Sequence, residues 1–300
     1  MVDRTRTRSL TTTRYALRAS FTMKFGIALS SLGHGELEPL ADRMLELKRR
    51  HGLNHIEISM SNLDGNPWIL WPWQYTDAAV SRMRDLLMQF DSRGVHLPFA
   101  YNFLTCPNPR IGAEAFRQLE EGIAVSARLG LHYTVTHTKT GPQEPGTDDF
   151  QIERFSEIFA ALAGLAEKQG LVFTIENGSD VGRYLENLVR IVRTVDHPSL
   201  GITFDTGHAN FLNALRAYGS HARFVHQEAR LITNLHIHDN VGATDDHQPM
   251  GRGNIDFAAM ASELVEIDFQ GAFTLEYDPA SAEEIDRHIE DAQRVFDPMR

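Results

Sequence analysis

The residues that could do chemistry in this chain stand at the ends of short apolar stretches. His96 lies in Val95-His96-Leu97-Pro98, His137 closes Tyr133–His137, and Glu176 closes Phe173-Thr174-Ile175-Glu176. Asp205 ends Gly201-Ile202-Thr203-Phe204-Asp205, with His208 three residues on. His236 lies in Leu235-His236-Ile237-His238-Asp239, Glu276 ends Phe273-Thr274-Leu275-Glu276, and a loop carries Asp245-Asp246-His247. Alternation puts Thr174 with Glu176, and Thr274 with Glu276, opposite the bulky residues of their strands. Tyr133 and Val135 share the face of His137, so that strand is less clean. Several carboxylates gathered in an apolar frame are costly to keep ionised unless positive charge meets them. Few Lys or Arg stand nearby, Lys139 being the exception. A divalent cation is the alternative to an ion-pair network, and mixed Glu, Asp and His ligands suit Zn, Mn, Co or Mg. Glu176, Asp205, His236 and Glu276 form the expected metal site.

The elements that must position these groups repeat along the chain. Helix-like segments end near Gly52, Gly94, Gly130, Gly170, Gly201 and Gly271, and a β-rich run follows each. Glycine suits the left-handed residue that closes a helix. The runs are His55–Ser59, Val95–Phe99, Tyr133–His137, Val172–Glu176, Ile202–Asp205 and Ala272–Glu276, with Lys24–Leu29 and Asn234–His238 added. About eight strands alternating with helices predict an α/β fold, a (β/α)8 TIM barrel with its site at the C-terminal face of the strands. A doubly wound open sheet is the competitor, but it gathers ligands at one switch point rather than from every strand. Helical stripes support the alternation: Phe155, Ile158, Phe159, Leu162 and Leu165 recur at three- and four-residue spacing. Thr76 and Asp256 read as N-caps. Two irregular connections, Ser61–Tyr75 with Trp68, Trp71 and Trp73, and Tyr101–Gly112, follow strands. They read as packed loops or as an aromatic cover over a sugar-like ligand.

Composition narrows the partners. A net charge of -11 disfavours a large nucleic-acid footprint. No apolar run approaches the ~18 residues of a membrane span. Cys106 is the one cysteine, which excludes an internal disulfide and fits a reducing, cytoplasmic setting. Residues 1–22, rich in Arg, Ser and Thr, read as a disordered or non-native leader, with residues 23–300 forming the barrel. Among the remaining histidines, His34 reads as a surface or packing residue with a pocket position as the alternative, His238 as a hydrogen-bonded core residue deeper in the barrel, and His55 as surface or packing.

Taken together, Val95-His96-Leu97-Pro98, Val135-Thr136-His137, Ile175-Glu176-Asn177, Asp205-Thr206-Gly207-His208-Ala209, His236-Ile237-His238-Asp239 and Asp245-Asp246-His247 before Gly251-Arg252-Gly253-Asn254-Ile255-Asp256 resemble the xylose isomerase-like barrel superfamily. That group holds sugar phosphate isomerases/epimerases, ketose 3-epimerases, inosose dehydratases and endonuclease IV. The resemblance implies that Glu176, Asp205, His236 and Glu276 hold one divalent metal. It implies that Glu176 and Glu276 act as acid and base on opposite faces of a substrate, and that His208 contacts a hydroxyl. Gly242 stands where ketohexose epimerases usually place an Arg, which argues against a plain ketose 3-epimerase. The endonuclease resemblance implies a second site at His96, His137 and Glu176 and a third at His208, Asp245 and His247, so up to three zinc ions.

The expected function is therefore a metal-dependent isomerase or epimerase. It would act on a sugar, sugar phosphate or inositol-type polyol, abstracting a proton next to a carbonyl through a stabilised enediolate. Epimerisation and β-elimination share that intermediate, so a lyase or dehydratase on a keto-sugar or keto-inositol is a second alternative to a trinuclear-zinc phosphoesterase. A non-catalytic polyol-binding barrel is a third class. His208, His96, Lys139, Trp68 and Arg252 are the expected substrate contacts, with Arg183 a further cation, and a homodimer is expected.

Overall fold

The computed structural model describes residues 23–62, 65–139, 148–178, 180–211, 213–278 and 282–296. The leader expected at 1–22 lies outside them. Eight strands are present: β1 (Lys24–Ala28), β2 (His55–Ser59), β3 (Ser92–His96), β4 (Tyr133–His137), β5 (Val172–Glu176), β6 (Leu200–Asp205), β7 (Ile232–Ile237) and β8 (Ala272–Leu275). Each pairs in parallel with its sequence neighbours, and β8 pairs with β1, so the sheet closes as β1-β2-β3-β4-β5-β6-β7-β8. Closure leaves no edge, and every strand's C-terminal end opens on one face.

The helices are α1 (Leu37–His51), α2 (Asp77–Leu87), α3 (Pro109–Leu129), α4 (Asp148–Lys168), α5 (Leu185–Val195), α6 (Thr206–Phe211), α7 (His221–Glu228), α8 (Phe257–Glu266) and α9 (Ala282–Phe296). The expected caps are present: Thr76 accepts from the Ala79 amide and Asp256 from that of Ala259. The stripe of α4, Phe155, Phe159 and Leu162, is fully buried together with Phe173 and Ile175 of β5 and Phe204 of β6. Each such side chain contributes about 1.5–3 kcal/mol by leaving water. Because the apolar set is spent on this outer layer, the barrel interior is largely polar. Thr174 lies 2.6 Å from Thr203, which donates to Asn234 at 2.9 Å. Tyr133, Val135 and Ala272 form a small separate apolar cluster.

Two sequence expectations are corrected. Strand β3 is Ser92–His96 rather than Val95–Phe99, and Pro98 has no amide to donate to a ladder. Gly94 therefore lies inside the strand, unlike Gly52 and Gly130, which close α1 and α3 in the left-handed conformation. A Cβ on Gly94 would stand 2.2 Å from the Tyr133 ring. The glycine makes room for an aromatic inside the barrel instead of ending a helix.

Candidate metal centre and active site

Glu176 is the hub. Its strand ends at the barrel mouth, and its side chain is almost completely buried. Oε2 lies 3.1 Å from His96 Nε2 and 3.4 Å from His137 Nε2. Oε1 lies 3.3 Å from both His208 Nδ1 and His236 Nδ1. One carboxylate thus faces two groups of donors. The same His236 Nδ1 is 2.9 Å from Glu276 Oε2.

Asp205 is held by its neighbours on both sides. Asn177 accepts from the Asp205 amide at 2.8 Å and donates to its carbonyl at 2.9 Å, clamping the end of β6 to β5. The Asp205 carboxylate accepts the His208 amide at 2.7 Å and lies 3.1 Å from His238 Nε2. The loop after β7 is anchored by Asp239, which accepts from the amides of Gly251 and Gly253 at 2.9 Å. That anchorage carries Asp245 to 3.0 Å from His208 Nε2, with His247 Nε2 3.4 Å from Asp245.

Three groups of donor atoms result, each lying within 4.8 Å of one another: Glu176, Asp205, His236 and Glu276; His96, His137 and Glu176; and His208, His238, Asp245 and His247. The carboxylates and imidazoles shift one another's titration strongly. Burial alone would raise Glu176, but His137 and His236 hold it well below the usual carboxylate range. Burial likewise opposes His236, yet Glu57, Glu176 and Glu276 hold it well above the usual histidine range. Burial drives His137 down to about 3. His236 is wholly buried, and both ring nitrogens lie at ion-pair distance from carboxylates without forming an aligned hydrogen bond. An imidazole nitrogen without an aligned hydrogen bond among carboxylates would suit a divalent cation, and these residue types fit one. Glu176, Asp205, His236 and Glu276 would hold an ion in the central group, and Glu176 also belongs to the group of His96 and His137.

The other expected site residues fall less centrally. Lys139 is half-buried two residues past β4, where its charge lowers His137. Arg252 and His34 are exposed. Trp68 is 3% exposed in the outer core and lines, with Glu36, Tyr75 and Met83, a cavity of about 60 Å³ that contains none of the donor residues. Arg183 stacks on Tyr184. His238 is not deeper in the barrel: it follows the end of β7 toward the mouth, and its ring stacks on His247 with centroids 4.0 Å apart. Glu57 was not singled out by the sequence; its place inside β2 gave no strand-end signal.

Gly207 is the price of placing His238 there. A Cβ on it would stand 1.9 Å from His238 Cε1. Alanine in a helix is ordinarily favoured over glycine by about 0.5–1 kcal/mol. Here the overlap reverses the sign, because overpacking costs about 1–3 kcal/mol. Gly207→Ala is expected to lower the melting temperature and weaken the outer donor group; an unchanged melting curve would remove His238 from this arrangement.

Fold and site together define a (β/α)8 barrel with adjoining metal-donor groups at its mouth. The family model described as xylose isomerase-like TIM barrel matches residues 45–298, and the chain belongs to that family. The uncharacterized protein MJ1311 of Methanocaldococcus jannaschii is 29% identical over 191 residues, 61% of this chain and 63% of its own length. The chain thus spans less than two thirds of that curated relative. A D-tagatose 3-epimerase-like protein superposes with a TM-score of 0.74 at 22% identity, covering 92% of this chain and 98% of its own. The IolI protein with a bound zinc atom superposes with a TM-score of 0.72 at 20% identity, covering 93% and 99%. Among the described residues, no helix is long and apolar enough to cross a membrane.

Proposed function

We propose that this chain is a divalent-metal-dependent isomerase or epimerase of a sugar or related polyol, working by proton transfer next to a carbonyl. The observation that carries the reading is the pairing of Glu176 on β5 with Glu276 just past β8, both at His236 Nδ1. A bound divalent ion would supply Lewis acidity, polarising the substrate carbonyl and stabilising the enediolate. The two glutamates divide the remaining work. Glu176 faces His96, His137, His208 and His236, and its side chain is 2% exposed, so its role is chiefly to hold the centre together. The Glu276 carboxylate faces His236 Nδ1 at 2.9 Å, its backbone carbonyl lies 3.2 Å from His247 Nδ1, and its side chain is 25% exposed. It is the freer proton acceptor and would keep the proton it removes until water takes it, whereas delivery to the opposite face would fall to Glu176 once it has taken a proton from water. His208, at the rim beside Asp245, is placed to meet a hydroxyl. The likeness to an epimerase-like barrel and to zinc-bound IolI supports the same reading.

The direct test incubates the metal-loaded protein with ketoses, ketose phosphates and keto-inositols in D2O. Deuterium is expected at the carbon beside the carbonyl, and its absence across all three classes sinks the proposal. Loss of a hydroxyl after exchange would assign a lyase.

A second reading, a trinuclear-zinc phosphoesterase, is favoured by the closure of all three donor groups around Glu176 and Asp205. Metal analysis separates the two. One exchangeable Mn, Co, Mg or Zn ion per chain is expected for proton transfer. Three tightly held zinc ions with phosphodiester cleavage would favour the second.

A further inference from the structure

Beneath the central donor group lies a chain of buried polar side chains that the proposed reaction does not use. Glu57, in the middle of β2, is 3% exposed. Its Oε1 stands 3.0 Å from His236 Nε2, the ring nitrogen on the side away from Glu176 and Glu276. Its Oε2 accepts the Tyr133 hydroxyl at 2.7 Å. The Tyr133 oxygen is 3.1 Å from His55 Nε2, which is 2.9 Å from Thr274 Oγ1, while His55 Nδ1 is 3.0 Å from Ser92 Oγ. Side chains of four strands, β2, β3, β4 and β8, are therefore linked in a chain that ends on the Glu57 carboxylate. Gly94 is part of the same construction, since any side chain there would displace the Tyr133 ring.

Imidazole can carry its proton on either nitrogen, and only the bare one can bind a metal. A carboxylate facing Nε2 favours the tautomer with the proton on Nε2, so the lone pair of Nδ1 is left between Glu176 and Glu276. Ligating histidines are commonly oriented in this way, and losing the orienting group typically weakens metal binding by about 10–100-fold.

We infer that Glu57 is a positioning residue: it fixes the tautomer and orientation of His236 so that Nδ1 is offered to a divalent ion, and the Tyr133–His55 chain holds Glu57 in place. The inference rests on the metal-dependent reading above. A neutral amide at this position can donate to Nε2 as readily as accept from it, so the preference for one tautomer is lost while the shape is kept.

The test measures Mn and Zn dissociation constants by competition titration for wild type, Glu57→Gln and Tyr133→Phe, with the electronic spectrum of the Co(II)-loaded proteins alongside. Glu57→Gln is expected to bind about 10–100-fold more weakly and to shift the Co(II) bands. Tyr133→Phe, which removes one hydrogen bond to Glu57, is expected to lose about 2–10-fold. Wild-type affinity and an unchanged Co(II) spectrum in a folded Glu57→Gln protein overturn the inference. If that variant does not fold, Tyr133→Phe decides by the same criterion. A wild-type protein that binds no divalent ion overturns both this inference and the metal-dependent function. One that binds the ion but turns over no polyol overturns the function alone.

Discussion

Glu276→Gln is expected to lower kcat by about 10²–10⁴-fold, the contribution typical of a positioned acid or base. The amide keeps the size of the side chain but can neither take up a proton nor balance the charge of His236, which lies 2.9 Å away. The effect is expected in kcat rather than KM, because the substrate's hydroxyls would still meet His208 and the remaining donors. Removing a ligand also weakens the ion, so the measurement is made at saturating metal, with occupancy checked on the same sample. Deuterium exchange into substrate should fall in parallel with turnover, since both need the same proton to leave. Binding of a polyol at wild-type affinity, with no turnover in either protein, would falsify the enzymatic reading and leave a binding barrel.

Metal uptake by the metal-free protein should release protons at neutral pH. Burial alone would lower His247, but Asp245 lifts it from its usual 6.5 to about 10. Burial likewise opposes His208 and His236, yet Asp205 and Glu57 foremost among their neighbours hold them well above the ordinary range. These rings carry protons at pH 7 when no ion is present, whereas a ligating nitrogen must be bare. Affinity is therefore expected to rise with pH, about tenfold per unit for each proton released. Calorimetry in buffers of different ionisation enthalpy counts those protons. The sign for stability follows the same logic. For a raised histidine such as His247, stabilisation of the metal-free fold is complete below the unfolded value near 6.5 and is lost as pH climbs through about 10. For carboxylates held low, such as Glu176, it is present above the unfolded value near 4.5 and is lost in acid. A bound ion supplies the positive charge that the protonated rings otherwise provide, so the loss at alkaline pH should shrink when metal is added. Equal metal affinity at pH 6 and pH 8 would contradict this account.

Much of the arrangement was legible before any coordinates. Alternation placed Glu176, Asp205 and Glu276 opposite the bulky residues of their strands, and a pleated strand leaves no other choice. Repetition of that pattern predicted a closed barrel, and closure brings distant strand ends to one mouth. His96 and His137 were readable for the same reason, whereas the grouping of His208, Asp245 and His247 came from the family motifs. The weaker predictions were those in which local pattern competes with packing. Gly94 resembled a helix terminus, but the ring of Tyr133, thirty-nine positions away in the chain, claims the space above it. Trp68 suggested a sugar platform, yet the outer core absorbed it.

Residue type and strand parity thus determined which side chains could meet an ion. Only the tertiary structure decided what stands behind them: Glu57 against His236, Asn177 across β5 and β6, and Asp239 beneath the β7–α8 loop. Strand parity says which face a side chain takes, but it does not say which neighbour lies across a barrel. That depends on the register and closure of eight strands, which no local stretch of sequence encodes.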